Sequence, residues 1–261
     1  MLNILVTGSK GFIGKNLLKK LDNNNYNILE YNRDDFFETL EKQIIQSDFI
    51  VHLAGEVRPN SSNDDFKSSN TLLTQNLIDI LRKHNKNIPI LMASTIHAKL
   101  LKNEYGKTKR EAELLIENYS KETDVKCFIY RLPHVFGEGC KANYNSVIST
   151  WIYNSIQNLE INCFDRNIEM HYVYVQDIVD EFKSIVDNQV SNEIYIEPKK
   201  VYETTLGEVV DFISEFKQNI KSKDYKSNGL EFKEKLYETY LDYYRKIQMF
   251  NNKNKTILLT G

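Results

Sequence analysis

The sequence predicts an α/β fold, a doubly wound parallel sheet with a smaller carboxy-terminal lobe, and three observations carry that prediction. Short apolar runs alternate with helical patterns up to about residue 135, three glycines separate the first run from the first helix, and the alternation loosens further on. Strands alternating with helices imply right-handed crossovers and a parallel sheet covered on both faces.

The elements follow in order. "LNILVTG" is a short buried strand, and the spacing of Phe12, Ile13, Leu17, Leu18 and Leu21 marks the first helix. "YNILEY" is the second strand, and a helix near 35–46 leads to the apolar strand "DFIVHLAG". A helix around 71–85, the strand "IPILMAST", a helix over about 104–121 and the strand "KCFIYRLP" continue the pattern. The last part is less regular: a helix around 145–157, a strand near "EINCFDR", the strand "HYVYV", the helix "DIVDEFKSIVD" and the strand "NEIYIEP". In "TTLGEVVDFISEF", Thr205 and Glu208 have capping-box spacing, so hydroxyl and carboxylate satisfy orphan N–H groups at a helix start. From about 217 onward the chain is lysine-rich, aromatic and helical in places. The predicted domains are 1–135, completed by about 170–198, and a lobe of 136–169 with 199–261.

A chain of 261 residues can bury a substantial core. Its hydrophobic fraction of 41% and charged fraction of 27% are ordinary, and no apolar run approaches the roughly 20 residues that span a bilayer. The opening "MLNILVTG" reads as a strand with no basic leader, so no membrane is expected and the cytoplasm is the expected location. A formal net charge of -2 with no dominant basic face gives no reason to expect nucleic acid. Cys127, Cys140 and Cys163 show no CxxC spacing, which argues against a disulfide framework or a metal site.

"TGSKGFIG" places glycines at 8, 11 and 14 between the first strand and the first helix. Glycine permits the tight turn and lets backbone N–H groups approach a pyrophosphate, which then rests on the positive end of the helix dipole. In this strand–turn–helix context the loop is that of a Rossmann-type dinucleotide domain, with Gly8, Gly11, Phe12, Ile13 and Gly14 as cofactor contacts. An acidic residue at the end of the second strand would hold the ribose of NAD. "EYNRDD" instead puts Asn32 and Arg33 there, and Arg33 is a fork for a 2′-phosphate, which favours NADPH. The alternative is a surface arginine paired with Asp34 or Asp35, and Glu30 keeps NADH possible in a shifted register.

Tyr105 and Lys109, in "NEYGKTKREAE", lie four apart on a helix and share a face. A ketone receiving hydride needs a proton, and a phenol of ordinary pKa about 10 gives one up more readily beside an ammonium group. Lys109 can also bond the nicotinamide ribose. Thr95, at a strand end, can donate to the developing oxyanion, with Ser94 supporting the cofactor side. The second Tyr-x-x-x-Lys, Tyr195 to Lys199, sits on an alternating strand broken by Pro198 and is set aside. For the first pair the plain alternative is a solvated helix face, and for Thr95 a strand-end hydroxyl.

Together these motifs resemble the extended short-chain dehydrogenase/reductases. "TGSKGFIG" is similar to their TGxxGxxG, "HLAG" to HxAA, "AST" to the Ser-Ser/Thr before the active site, "YGKTK" to YxxxK, "RLPHVFG" to RxxNxxG and "YVYVQDIV" to YVxDxA. The resemblance implies that Leu53, Ala54 and Gly55 border the adenine and that Pro133 lies near the nicotinamide. "DFIVHLAGEVRP", "CKANYNSVIST", "DRNIEMHYVYVQDIV" and "LYETYLDY" resemble more closely the reductase half of the bifunctional capsule enzymes of the UDP-N-acetyl-L-fucosamine pathway. Such enzymes reduce the 4-keto group of a UDP-linked 6-deoxy amino sugar with NADPH and carry a cupin domain after it. Here the sequence stops where the cupin would begin, so the resemblance implies reduction alone, and a homodimer by family habit.

Two departures concern the nucleotide-sugar substrate: His134 replaces the sugar-side asparagine, and Met170 replaces a basic residue. His134, Arg166, Asn143, Asn145 and Ser146 are the candidates for contacts to it. Their alternatives are a packed imidazole, a surface arginine and helix capping. Besides the ketoreductase, the sequence leaves open an epimerase or dehydratase that keeps NAD bound, and a non-catalytic NADP-sensing regulator on the same fold. Ile96 and His97, where dehydratases of this family place an acidic pair, count against dehydration.

Overall fold

The computed structural model describes residues 1–21, 25–189, 191, 193–220 and 229–260, the last ten as backbone alone. The lysine-rich residues 221–228, part of the stretch expected to be helical in places, lie outside the described residues.

The chain begins with β1 (Leu2–Thr7), α1 (Phe12–Leu21), β2 (Tyr26–Tyr31), α2 (Phe37–Gln46) and β3 (Phe49–His52). A single turn, α3 (Asn63–Phe66), runs into a π-helical segment over Lys67–Leu72 and then α4 (Leu73–Lys83). Next come β4 (Ile90–Thr95), the short α5 (His97–Leu100), α6 (Glu104–Thr123), β5 (Cys127–Leu132) and β6 (His134–Phe136). After α7 (Val147–Ile156), β7 (Glu169–Tyr174), α8 (Val175–Asn188), β8 (Tyr195–Ile196), β9 (Tyr202–Thr205) and α9 (Leu206–Asn219), the chain ends in α10 (Glu231–Thr260).

Two compact units result, Met1–Pro133 with Gln176–Lys199, and His134–Val175 with Lys200–Gly261. The first holds a six-stranded sheet in the order β2-β1-β3-β4-β5-β8, every neighbouring pair parallel. The expected doubly wound α/β architecture is therefore present. Strands covered on both faces need continuous apolar runs. Accordingly Ile4, Leu5, Val6, Phe49, Ile50, Val51, Leu91 and Met92 are all 0% exposed. Leu77, Ile78 and Leu81 of α4 and Ile116 of α6 complete one core, each worth about 1.5–3 kcal/mol when buried.

The second unit pairs β6 parallel and β9 antiparallel with β7, over a core rich in aromatic residues that includes Phe136, Trp151, Phe216 and Tyr240. The Thr205–Glu208 capping box forms as expected at the start of α9. The strand expected near "EINCFDR" does not form. Residues 157–168 instead turn on themselves: Leu159 N–H reaches the Asn154 carbonyl at 2.8 Å, Asn158 takes φ 59°, and Asn167 N–H meets the Asp165 carboxylate at 2.9 Å. Local polar partners satisfy the backbone there, and Phe164 is left fully exposed.

Among the described residues no helix is long and apolar enough to cross a membrane. All three cysteines are free thiols.

Candidate active site

Backbone contacts leave no room for a side chain at Gly8 or Gly14. Gly8 takes φ +72°, and a Cβ there would stand 2.7 Å from the Ala54 nitrogen. A Cβ on Gly14 would meet the Gly8 carbonyl and lie 2.7 Å from two Ser9 backbone atoms. Gly11 is exposed, and its N–H closes the turn on the Gly8 carbonyl at 2.9 Å. Phe12 and Ile13 form the first turn of α1, so their N–H groups have no intrahelical acceptor. The cradle fits a pyrophosphate: the first-turn N–H groups of a helix lie beside a loop in which Gly8 and Gly14 are packed too closely for any other residue.

At the carboxyl end of β2 the two candidates separate. Asn32 is buried and turns back into the loop, its Oδ1 accepting from Lys10 N–H at 2.9 Å and its Nδ2 donating to Ser9 Oγ at 2.9 Å. Arg33 is the outward residue, its side chain 62% exposed. Its ion pair is with Glu56, at 2.9 Å, rather than with Asp34 or Asp35. The neighbouring Asp35 instead caps the Asn32 N–H at 2.6 Å. Leu53, Ala54 and Gly55 line the other side of the loop, Leu53 N–H bonding the Thr7 carbonyl at 3.1 Å.

Tyr105 and Lys109 both lie on α6, which starts cleanly because the Asn103 side chain accepts from Gly106 N–H at 2.8 Å. Tyr105 is half-buried, its ring tilted against Phe66 and His97 with centroids 6.0 and 6.1 Å away. Burial pushes the phenol up to about 12, against a smaller opposing influence from Thr95, so it holds its proton firmly. Lys109 does not figure among the causes of that shift. Lys109 is buried and donates to the Ala93 carbonyl at 2.7 Å. Burial also brings the Lys109 ammonium down to about 8, opposed by the charge of Glu113. Ser94 donates to the Glu113 carboxylate at 2.6 Å. Pro133 stands half-buried directly after β5.

Three residues that the sequence reading passed over support this group. Asn70, on the π-helical segment, is 1% exposed; its Oδ1 accepts from Glu56 N–H at 2.9 Å and its Nδ2 donates to Thr108 Oγ1 at 3.1 Å. Such a distortion of helical winding commonly marks a functional site. A Cβ on Gly55 would lie 2.7 Å from Asn70 Oδ1 and 3.5 Å from Lys109 Nζ, which puts amide and ammonium on one patch. His52 ties β1 to α4. Thr74 gives its proton to the Asn70 carbonyl at 2.7 Å, so the 2.9 Å contact makes His52 Nε2 the donor and leaves Nδ1 to accept from Thr7 at 2.7 Å. Burial holds His52 neutral, with its pKa lowered to about 3. Glu113, fully buried one turn beyond Lys109, is met by Arg131 at 2.7 Å and Arg110 at 3.0 Å. Only the helical spacing 105, 109, 113 could have singled it out.

The remaining candidates lie in the second unit. His134 is exposed at the start of β6, its ring 5.8 Å from that of Tyr172, so it is not a packed core imidazole. Ser146 caps α7 by accepting from Ser149 N–H at 3.3 Å. Asn143 takes φ 54° and donates its N–H to Thr150 Oγ1 at 2.9 Å, while Asn145 is exposed. Arg166 forks onto both oxygens of Asp211 at 2.7 Å, the surface pairing that was its alternative reading.

Comparison with known proteins bears on this geometry. A family model described as "NAD dependent epimerase/dehydratase family" matches residues 4–196. The chain is 33% identical over 243 residues to the UDP-2-acetamido-2,6-beta-L-arabino-hexul-4-ose reductase of Pseudomonas aeruginosa, across 93% of this chain and 65% of that protein. It is similar to the capsular polysaccharide assembling protein CapF from Staphylococcus aureus, with a TM-score of 0.83, 38% identity, and coverage of 93% of this chain and 66% of that one. The chain thus spans just under two thirds of both. The Thermus thermophilus UDP-glucose 4-epimerase, solved in complex with NAD, shares the fold with a TM-score of 0.77 at 17% identity, over 93% of this chain and 99% of that one.

Proposed function

The chain belongs to the NAD dependent epimerase/dehydratase family, the extended short-chain dehydrogenase/reductases, and on that premise we propose that it is an NADPH-dependent reductase. Its substrate would be the 4-keto group of a nucleotide-linked, UDP-type 4-keto-6-deoxy sugar, in the synthesis of a surface polysaccharide. The observation that carries this reading is half-buried Tyr105 on α6, followed one helical turn later by buried Lys109, which is held on the Ala93 carbonyl of the strand that ends at Thr95. The Pseudomonas relative is a hexul-4-ose reductase, which supports the choice of a sugar ketone.

When bound, the nicotinamide cofactor supplies hydride to the carbonyl carbon. Gly8, Gly11 and Gly14 with the first turn of α1 would hold its pyrophosphate, and exposed Arg33 favours a 2′-phosphate there. Tyr105 donates its proton to the carbonyl oxygen as negative charge develops on it, and Thr95 donates a hydrogen bond to the same oxygen. With its proton gone, Tyr105 would carry a negative charge, and the ammonium of Lys109 stabilises that state more than the neutral phenol. In the second unit, His134, Asn143 and Asn145 are proposed contacts to the nucleotide sugar, with Ser146 and Arg166 less available because capping and Asp211 occupy them.

The test incubates purified protein with NADPH or NADH and a panel of UDP- and dTDP-4-keto-6-deoxy sugars, identifying products by NMR. Stoichiometric NADPH oxidation with a new hydroxyl at C4 is expected. Interconversion of sugars without net cofactor use would make the protein an epimerase and refute the proposal. Tyr105→Phe should lose at least about 100-fold in kcat while still binding NADPH. Full turnover by that variant would require a different acid.

A further inference from the structure

Glu56 follows β3 by four residues and is 1% exposed, yet it faces the exposed Arg33 and the half-buried Arg58. Arg33, just past β2, reaches its Oε2 at 2.9 Å. Arg58 grips both oxygens, through Nη2 at 2.7 Å and Nε at 3.0 Å. The backbone N–H groups of Val57 and Arg58 add bonds of 2.9 and 2.8 Å to Oε1. β2 and β3 flank β1 on opposite sides, so the two guanidiniums approach from both sides of the strand that feeds the glycine loop.

A carboxylate near the end of β2 would ordinarily suggest an acceptor for the ribose hydroxyls of NAD. The bond count rejects that role here. A carboxylate offers roughly four lone-pair sites, and Glu56 already receives five N–H donors. Burial by itself would push the Glu56 carboxyl up, but the bonds from Arg58 and Arg33 hold it far below the usual carboxylate range. It is therefore an anion spent wholly on orienting its neighbours. Among the described residues the contacts of Arg33 run through Nη2 alone, to Glu56 and, at 3.5 Å, to Ser69. Its Nε and Nη1 are left for a further anion.

We propose that Glu56 is a positioning residue that fixes Arg33 and Arg58 as a two-guanidinium cradle for the 2′-phosphate of NADPH, so that discrimination against NADH rests on all three residues. The inference builds on the NADPH reading above and adds Arg58 as a second specificity determinant. Ordering matters because a long side chain at a surface loses rotamer freedom when it binds. Glu56 has already confined Arg33 and Arg58, so a phosphate meets prearranged donors, as with preorganised ligands generally.

The test titrates 2′,5′-ADP and 5′-AMP into the wild type, Glu56→Gln, Arg58→Gln and Arg33→Gln by calorimetry, and compares kcat/KM for NADPH and NADH. The readout is the ratio between the two nucleotides within one protein, which a loss of folded protein does not move. The wild type should prefer 2′,5′-ADP, and each variant should cut that preference about tenfold with 5′-AMP affinity retained. Absence of any preference in the wild type would overturn the NADPH reading itself. A wild-type preference abolished by Arg33→Gln but unchanged in Arg58→Gln and Glu56→Gln would sink the cradle and leave that reading standing. A preference strengthened by Glu56→Gln would also sink it, because the carboxylate would then be screening the arginines. Should Glu56→Gln fail to fold, Arg58→Gln decides alone.

Discussion

Two single-methyl changes in the glycine loop should have opposite consequences. Gly14→Ala puts a Cβ 2.7 Å from Ser9 Cα and from the Ser9 carbonyl oxygen, and closer still to the Gly8 carbonyl. All three atoms are backbone held by the strand and the loop, so none can swing aside. Overpacking of this kind costs about 1–3 kcal/mol, and the helix preference for Ala over Gly returns at most about 1 kcal/mol. For a chain of this size the melting temperature should fall by roughly 2–8 °C. A Cβ on Gly11 meets only the Gly8 carbonyl, at 3.0 Å, and otherwise points into open space. Gly11→Ala should therefore change stability by no more than about 0.5 kcal/mol. Yet that methyl stands on the exposed face that a pyrophosphate must approach, and dinucleotide affinity should drop at least about tenfold. Circular-dichroism melts paired with calorimetric titration of NADPH separate the two effects. If Gly11→Ala binds the dinucleotide like wild type, the pyrophosphate does not rest on this loop; if the wild type binds no dinucleotide, the loop is a tight turn and nothing more.

Two further predictions concern protons. Lys109 acts as a cation, and burial brings it down to about 8, so kcat/KM for the ketone should fall as pH rises through about 8. Tyr105, pushed up to about 12, adds no limb below that. Glu113→Gln removes the charge that holds the Lys109 pKa up and should move the limb to lower pH in the pH–rate profile; an unmoved limb would assign it to another group. His52 bears on stability: its folded pKa of about 3 lies below the ordinary 6.5, so its contribution is complete above 6.5 and is lost as pH falls toward 3. Between pH 7.5 and 5 the gap in urea-unfolding free energy between wild type and His52→Asn should narrow by about 2 kcal/mol. A constant gap would mean that His52 takes up its proton in the folded protein as readily as in the unfolded chain.

The parallel sheet was legible because strands buried on both faces must be apolar throughout, and β1, β3 and β4 announce themselves that way. The three-residue β6 and the four-residue β9 were not, since pairing with β7 rather than any period of their own makes them strands. The false strand at "EINCFDR" shows the converse: alternation without a partner folds into turns. In the candidate site, the glycines, Tyr105 and Lys109 were readable from spacing along one element. Glu56, Arg58 and Asn70 were not, because what defines them is convergence across elements. Asn70 meets Thr108 from 38 positions away, and Arg33 meets Glu56 from 23. Helical spacing puts the Lys109 ammonium on the face it shares with Tyr105, but the Ala93 carbonyl that holds it lies on β4, 16 positions earlier.

That carbonyl also explains how one helix can carry both chemistry and structure. A buried ammonium costs several kcal/mol unless it is paired, and Lys109 sits between the Ala93 carbonyl and the charge of Glu113. Glu113 is in turn fully buried and must be satisfied, which Ser94, Arg110 and Arg131 accomplish from β4, α6 and β5. Removing both arginines would strand the Glu113 carboxylate in the interior, at a cost of about 3–5 kcal/mol, whereas losing any single partner leaves the others in place. The polar residues around α6 are thus bound to one another more tightly than any catalytic role alone would require. Substitutions at Glu113 or Arg131 should lower stability and shift the pH–rate profile together, whereas Tyr105→Phe, at the half-buried end of the same ladder, should remove turnover and leave the melting temperature within a few degrees of wild type. A Tyr105→Phe protein that melted as early as a Glu113 variant would place the phenol among the structural ties.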